Sequence, residues 1–134
     1  WNFGDGNAST LENPTHTYGS EGVFDVTLIV ESNHGCRDTV ENPSTVYPLP
    51  QVDFSPSDVC LSATTTFTNE SNISNAFTNN SLTSWDWDFG DGNSSNQENP
   101  THTYANSGDY ITNLSVTSNH NCVATINKTV TVHP

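Results

Sequence analysis

Trp87-Asp88-Phe89-Gly90-Asp91-Gly92 decides the reading of this chain, because it has an earlier copy in Trp1-Asn2-Phe3-Gly4-Asp5-Gly6. The match continues downstream. Glu12-Asn13-Pro14-Thr15-His16-Thr17-Tyr18 returns as Glu98-Asn99-Pro100-Thr101-His102-Thr103-Tyr104, and Ser32-Asn33-His34 with Cys36 returns as Ser118-Asn119-His120 with Cys122. Every match falls at one offset, the 86 residues from Trp1 to Trp87, with no gap as far as Pro48 and Pro134. A fixed period is the mark of repeated structural units. It divides the chain into a partial unit (1–48, lacking its first strands), a Leu-Pro linker (49–50) and a complete unit (51–134). The expectation is about one and a half repeats of a tandem array, cut inside a repeat at Trp1.

The deciding stretch alternates. Trp85, Trp87 and Phe89 share one face of a strand, and Asp86 and Asp88 share the other. Side chains one residue apart point to opposite faces of a pleated strand, so this is an aromatic face turned inward. Gly90-Asp91-Gly92 then ends the strand, since two glycines around an aspartate supply positive-φ positions and a carboxylate that caps backbone N–H groups. Phe24, Val26, Leu28 and Val30 repeat the alternation, and Tyr110, Thr112, Leu114 and Val116 keep the parity. Further strands are expected at Val52–Phe54, Thr64–Thr68, Thr39–Val46 and Thr125–Val132. No helical stripe of useful length appears. Ser71–Ser84 reads as a surface loop anchored by Ile73, Phe77 and Leu82. Short alternating strands punctuated by Gly, Pro and Asn predict an antiparallel β-sandwich of roughly seven strands.

Composition narrows the function. Lys and Arg total 2 against 15 Asp and Glu, a net charge of −13. That balance opposes nucleic acid and anionic lipid, whose phosphates need cationic side chains. No apolar run reaches the length of a membrane span. The acidic groups Asp86, Asp88 and Asp91 crowd one strand end, with His102 expected to return nearby. A paired-carboxylate hydrolase needs a cleft between its two acids, and a compact sandwich offers little of one. The structural reading makes Asp91 the cap of its turn and hydrogen-bonds His102 to backbone, so no enzyme activity is expected.

The residues Trp87–Gly92, Asn99–Tyr104, Gly108 and Ile111–Val116, with their copies Trp1–Gly6, Asn13–Tyr18, Gly22 and Val26–Val30, closely resemble the PKD (polycystic kidney disease) domain. That resemblance implies an all-β, immunoglobulin-like sandwich, with modules in tandem. It casts Trp1, Phe3, Asp5, Trp85, Trp87, Phe89, Asp91, His102 and Tyr104 as structural residues. Val59-Cys60, the late cysteine and the Tyr47-Pro48-Leu49-Pro50 junction are similar to PKD arrays of large Bacteroidetes surface proteins, which act as spacers in adhesins and gliding-motility proteins exported by type IX secretion. The implied role is a semi-rigid spacer of an extracellular adhesin or filament, partnered by adjacent repeats and by like chains. PKD modules also accompany secreted hydrolases as substrate- or carbohydrate-binding accessories, which is the alternative. No catalytic or cofactor-binding residue is expected. Calcium is the one candidate ion, with Asp53, Asp58, Asp86, Asp88 and Asp91 as candidate ligands, although calcium wants six to eight oxygens and no calcium-loop spacing is present.

Cysteine use is left with two schemes. Cys60–Cys122, within one module, is the favoured pairing and would contribute about 3–4 kcal/mol by closing a loop of about 60 residues. The rival joins Cys60 to the late cysteine of an adjacent module, because an immunoglobulin-like strand order would put Cys60 and Cys122 at opposite poles. Cys36 is expected unpaired under both.

Overall fold

The computed structural model describes residues 1–76 and 79–134. Phe77, one expected loop anchor, lies outside the described residues. The chain forms two compact units, Trp1–Pro48 and Leu49–Pro134.

The first unit is built on a long antiparallel hairpin, β1 (Gly22–Glu31) against β2 (Arg37–Val46), in unbroken register from Gly22 opposite Val46 to Glu31 opposite Arg37. Asn2 bridges to Thr27 on one side and to Ala8 on the other, so the copied motif lies along β1.

The second unit adds β3 (Phe54–Pro56), β4 (Val59–Cys60), β5 (Thr64–Asn69), β6 (Leu82–Asp88), β7 (Ser94–Ser95), β8 (Thr101–Thr103), β9 (Gly108–Ser118) and β10 (Val123–His133). A five-stranded sheet in the order β4-β10-β9-β6-β7 faces a three-stranded sheet in the order β3-β5-β8. All pairings are antiparallel except β4 with β10, which is parallel and places Cys60 beside His133.

Strand alternation explains the core. Along β9, Thr112, Leu114, Val116 and Ser118 are buried while the residues between them are less so, and β5 buries Thr65 and Phe67 in the same way. Phe54 and Phe67, from the smaller sheet, close on Trp87 at ring-centroid distances of 5.1 and 5.5 Å, and Phe67 meets Phe89 at 5.0 Å. Phe54, Phe67, Trp87, Phe89, Tyr104, Leu114, Val116, Val130 and Val132 form the continuous core.

Three details differ from the sequence expectation. β6 starts at Leu82 rather than Trp85, because Leu82 packs on the core and pairs with Ser118 across a bulge before Ser84. The strand expected at Val52–Phe54 begins instead at Phe54, the residue that is fully buried. The short strands β4, β7 and β8 are set by pairing with neighbours rather than by any hydrophobic run of their own. Trp85 is half-buried, its indole Nε1 enclosed without a hydrogen-bond partner.

Candidate functional site: a repeated aspartate–histidine clasp and two poles

The glycine turn after β6 is dictated by close backbone approach. Gly90 has φ +80°, and a Cβ there would lie 2.5 Å from the Ile111 carbonyl oxygen; Gly4 repeats this with φ +81° and 2.8 Å to the Asp25 carbonyl oxygen. Only glycine fits such a position. The turn holds Asp91 so that Oδ1 accepts from the Asn93 backbone N–H at 3.0 Å while Oδ2 accepts from the Asn93 side-chain amide at 3.0 Å. Oδ2 also lies 2.8 Å from His102 Nε2. An ionised carboxylate only accepts, so Nε2 is the donor.

This departs from the expectation of a histidine bonded to backbone: His102 is clasped by Asp91 itself. Its ring stacks on Phe89 at 4.3 Å and 5°, and meets Tyr104 edge-on at 4.6 Å. Tyr104 stacks on Tyr110 at 4.2 Å and donates its hydroxyl to the Phe89 carbonyl at 3.1 Å. The first unit repeats every element of this arrangement. Asp5 Oδ2 lies 2.7 Å from His16 Nε2, His16 stacks on Phe3 at 4.2 Å, and Tyr18 stacks on Phe24 while donating to the Phe3 carbonyl at 3.1 Å.

The clasp sits almost out of solvent, with the His102 and Asp91 side chains 13% and 14% exposed. Burial works to raise the Asp91 pKa, yet the hydrogen bonds from His102 and Asn93 outweigh it and hold the carboxyl below the usual carboxylate range. At Asp5 the same contest, burial against His16 and Asn7, leaves the pKa at about 2. Burial pushes the Tyr104 hydroxyl up. In each unit the histidine Nε2 and the aspartate carboxylate are thereby committed to each other and to turn closure.

The five calcium candidates do not converge. Asp53 is pulled down first by the Lys128 ammonium at 2.6 Å and then by the Phe54 backbone N–H. Lys128 also donates to the Phe54 carbonyl at 2.6 Å and lies over the Phe54 ring. Asp86 accepts from the Asn96 side-chain amide, Asp88 accepts from the Gly90 N–H at 2.9 Å, and Asp91 is in the clasp. Asp58 lies between β3 and β4 and is exposed. Among the described residues no group of three His, Cys, Asp or Glu side chains is placed to hold a metal ion.

Cysteine placement overturns the favoured disulfide. All three cysteines are free thiols. Cys60 sits beside His133 at one end of β10, whereas Cys122 immediately precedes Val123 at the other end. At ~3.3 Å per residue, the eleven residues from Cys122 to His133 separate them by about 35 Å, against the ~4.4–6.8 Å between Cα atoms that a disulfide spans.

The two ends of β10 define the poles of the second unit. Gln51, where the chain enters, exchanges backbone hydrogen bonds with Asn72 at 2.8 and 3.0 Å. Ser74 takes the Asn80 side-chain amide at 2.8 Å, and Ser81 bonds to Asn119 in the turn that ends at Cys122. The chain therefore enters at the Cys122 pole and leaves, at His133, at the Cys60 pole.

The first unit exposes what the second covers. Val116 is fully buried under the smaller sheet, and its counterpart Val30 is 53% exposed. Trp1, Leu11, Leu28 and Val30 line an open groove of about 400 Å³ on the face that corresponds to the one Phe54 and Phe67 close in the second unit.

Two facing β-sheets, an inward tryptophan and Greek-key-like long pairings define an immunoglobulin-like all-β module. The PKD domain family model matches residues 1–46 and 48–133, and the chain belongs to that family. The PKD module is a non-catalytic one. A collagenase (ColA) of Bacillus cereus is 45% identical over 51 residues, which are 38% of this chain and 5% of that protein. A microbial collagenase of Vibrio alginolyticus is 40% identical over 61 residues, 46% of this chain and 8% of that protein. The matched segment is thus a small fraction of either relative. The solved PKD1 domain of Vibrio anguillarum Epp superposes with a TM-score of 0.57 at 27% identity, over 63% of this chain and 94% of that one. The PKD1 domain of the Vibrio cholerae metalloprotease PrtV gives 0.52 at 24% identity, over 66% of this chain and all of that one, and speaks for the fold alone.

Proposed function

We propose that this chain is a non-catalytic accessory segment of an extracellular hydrolase, which sets the distance and direction of the domains it joins. The observation that carries this reading is its 40–45% identity to segments of two collagenases. The geometry supports spacing over substrate gripping. Trp87, Phe89, Phe54 and Phe67 are inside the core, so these four rings are not presented as a sugar or peptide platform of the kind such recognition uses. In the complete module the chain enters at one pole and leaves at the other, so adding a module adds length. The −13 charge favours solubility and opposes nucleic-acid and anionic-membrane partners.

A second reading, a spacer of a cell-surface adhesin or filament whose partners are adjacent repeats and like chains, is favoured by the gapless 86-residue repetition between Trp1 and Trp87. Sequencing the parent polypeptide on both sides separates the two. A neighbouring catalytic domain supports the hydrolase accessory, and a long row of further repeats supports the adhesin. Co-sedimentation with insoluble collagen tests spacing against gripping: the chain is expected to stay in the supernatant, and saturable pelleting at micromolar concentration would overturn the spacer mechanism.

A further inference from the structure

We propose that Cys60 and the late cysteine of a following module form a disulfide across the module junction, so that each joint in a row of these modules is covalently clamped. The proposal rests on the extracellular reading above, because such bonds persist where the surroundings are oxidising.

Cys60 lies at the pole where the chain leaves, paired in register with His133, the penultimate residue. Cys122 lies at the pole where the chain enters, in a turn closed by Ser118 N–H to the Cys122 carbonyl at 2.9 Å and by Cys122 N–H to Ser118 Oγ at 3.2 Å. Cys36 occupies the identical turn of the first unit, with Ser32 N–H to the Cys36 carbonyl at 2.9 Å and Cys36 N–H to Ser32 Oγ at 3.2 Å. The repeat thus carries one cysteine per pole, and the strand β10 keeps the two about 35 Å apart within any one module. A partner for Cys60 has to come from beyond its own sandwich.

A module attached after Pro134 by two residues of the Leu49-Pro50 type supplies that partner. From His133 to the first residue of the new module the chain spans four residue steps, at most about 14 Å. The pole it delivers is the one that carries the late cysteine. Facing sheets in a sandwich are ~10 Å apart, so the target turn lies within reach of Cys60 without unfolding either module. Cys60 is exposed, on a two-residue strand at the edge of its sheet. Nothing in the module's core has to move for its sulfur to be attacked.

The chemistry balances with a small-molecule disulfide as oxidant. One cysteine thiolate attacks a sulfur of the oxidant, forms a mixed disulfide and expels one thiolate. The second cysteine thiolate then attacks the protein-bound sulfur, forms the Cys–Cys bond and expels the other. Two electrons pass from the protein thiols to the oxidant, and two protons are released when the thiols ionise.

The test extends the full chain by a second copy of residues 49–134 and oxidises both forms with oxidised glutathione, followed by non-reducing peptide mapping and maleimide labelling. In the extended chain, a linked peptide joining Cys60 to the Cys122 counterpart of the added copy is expected, with Cys60 labelling reduced at least tenfold. In the 134-residue chain Cys60 is expected to remain labelled and no Cys60–Cys122 peptide to form. Cys60→Ser in the extended chain abolishes the link while leaving the far-UV circular dichroism unchanged. A Cys60–Cys122 link inside one module, bonds only between separate chains, or full labelling of Cys60 after oxidation would each overturn the proposal. Because this readout uses purified protein, it fails or succeeds independently of where the parent protein resides. Fractionation of the native host tests that separately.

Discussion

Replacing Asp91 with asparagine tests whether the clasp supports the fold or merely decorates it. The carboxylate is largely out of solvent and accepts three hydrogen bonds, from His102 Nε2 at 2.8 Å and from the Asn93 main chain and side chain at 3.0 Å each. Asparagine keeps one carbonyl acceptor and turns an NH2 toward the donors that Oδ2 had satisfied. Hydrogen bonds to a charged group are worth about 1.5–3 kcal/mol, and a buried donor left unpaired costs about 1–3 kcal/mol. A loss of about 2–3 kcal/mol in the second unit follows, or roughly 10–20 °C in Tm for a domain of this size. The pH dependence fixes the cause. The folded-state pKa of Asp91 is depressed, so its stabilisation is complete above the unfolded aspartate value near ~3.9 and is lost as pH falls through the folded value. Differential scanning calorimetry of the wild-type and D91N full chains should therefore give a Tm gap that is constant from pH 7 to pH 5 and narrows below about pH 4. Equal melting at pH 7, or a gap unchanged at pH 2.5, would refute the reasoning.

Two glycines of one turn make a paired prediction. Gly90→Ala meets the Ile111 carbonyl at 2.5 Å as well as an unfavourable φ, whereas Gly92→Ala has φ +91° and no atom within 4 Å. Urea denaturation should show Gly90→Ala costing about 2 kcal/mol or more and Gly92→Ala about 1 kcal/mol, and equal effects would argue against the close approach. Phe67→Ala, at the meeting point of Phe54, Trp87 and Phe89, should cost about 3–5 kcal/mol, read from the same denaturation curves, with a red shift of Trp87 fluorescence on solvent entry. Adding a chelator should leave the thermal midpoint unchanged, because Asp53, Asp86, Asp88 and Asp91 are each engaged by a different partner; a fall of several degrees, restored by calcium, would restore the calcium site.

The legible part of the fold is the part whose hydrophobic period is long. Leu114 and Val116 on β9, and Trp87 and Phe89 with the glycine turn, announce an inward face and a stop in the residues themselves. The two-residue strands do not. Val59-Cys60 is too short to show a period, and its parallel place beside His133 is a consequence of tertiary pairing. That pairing sets Cys60 and Cys122 at opposite ends of β10, a separation that chain order alone left open. At the clasp, the glycine-flanked aspartate was legible as a turn cap. The identity of its partner was not, because His102 returns from eleven residues away and only the stacking of Phe89, His102 and Tyr104 brings its ring to Asp91. Asn93, two residues beyond the aspartate and copied as Asn7, is the one local signal that could have pointed to the full hydrogen-bond set. Nor could the five acidic candidates be sorted in advance, since Lys128 reaches Asp53 across 75 residues of sequence.

The central claim is that these modules add length. Small-angle X-ray scattering of the full chain, and of the chain carrying one and then two further copies of residues 49–134, tests it most directly. The maximum dimension is expected to grow by about 35–40 Å per copy, the length of β10 with its turns. Increments below about 20 Å, which only modules folded back on one another would give, would contradict it.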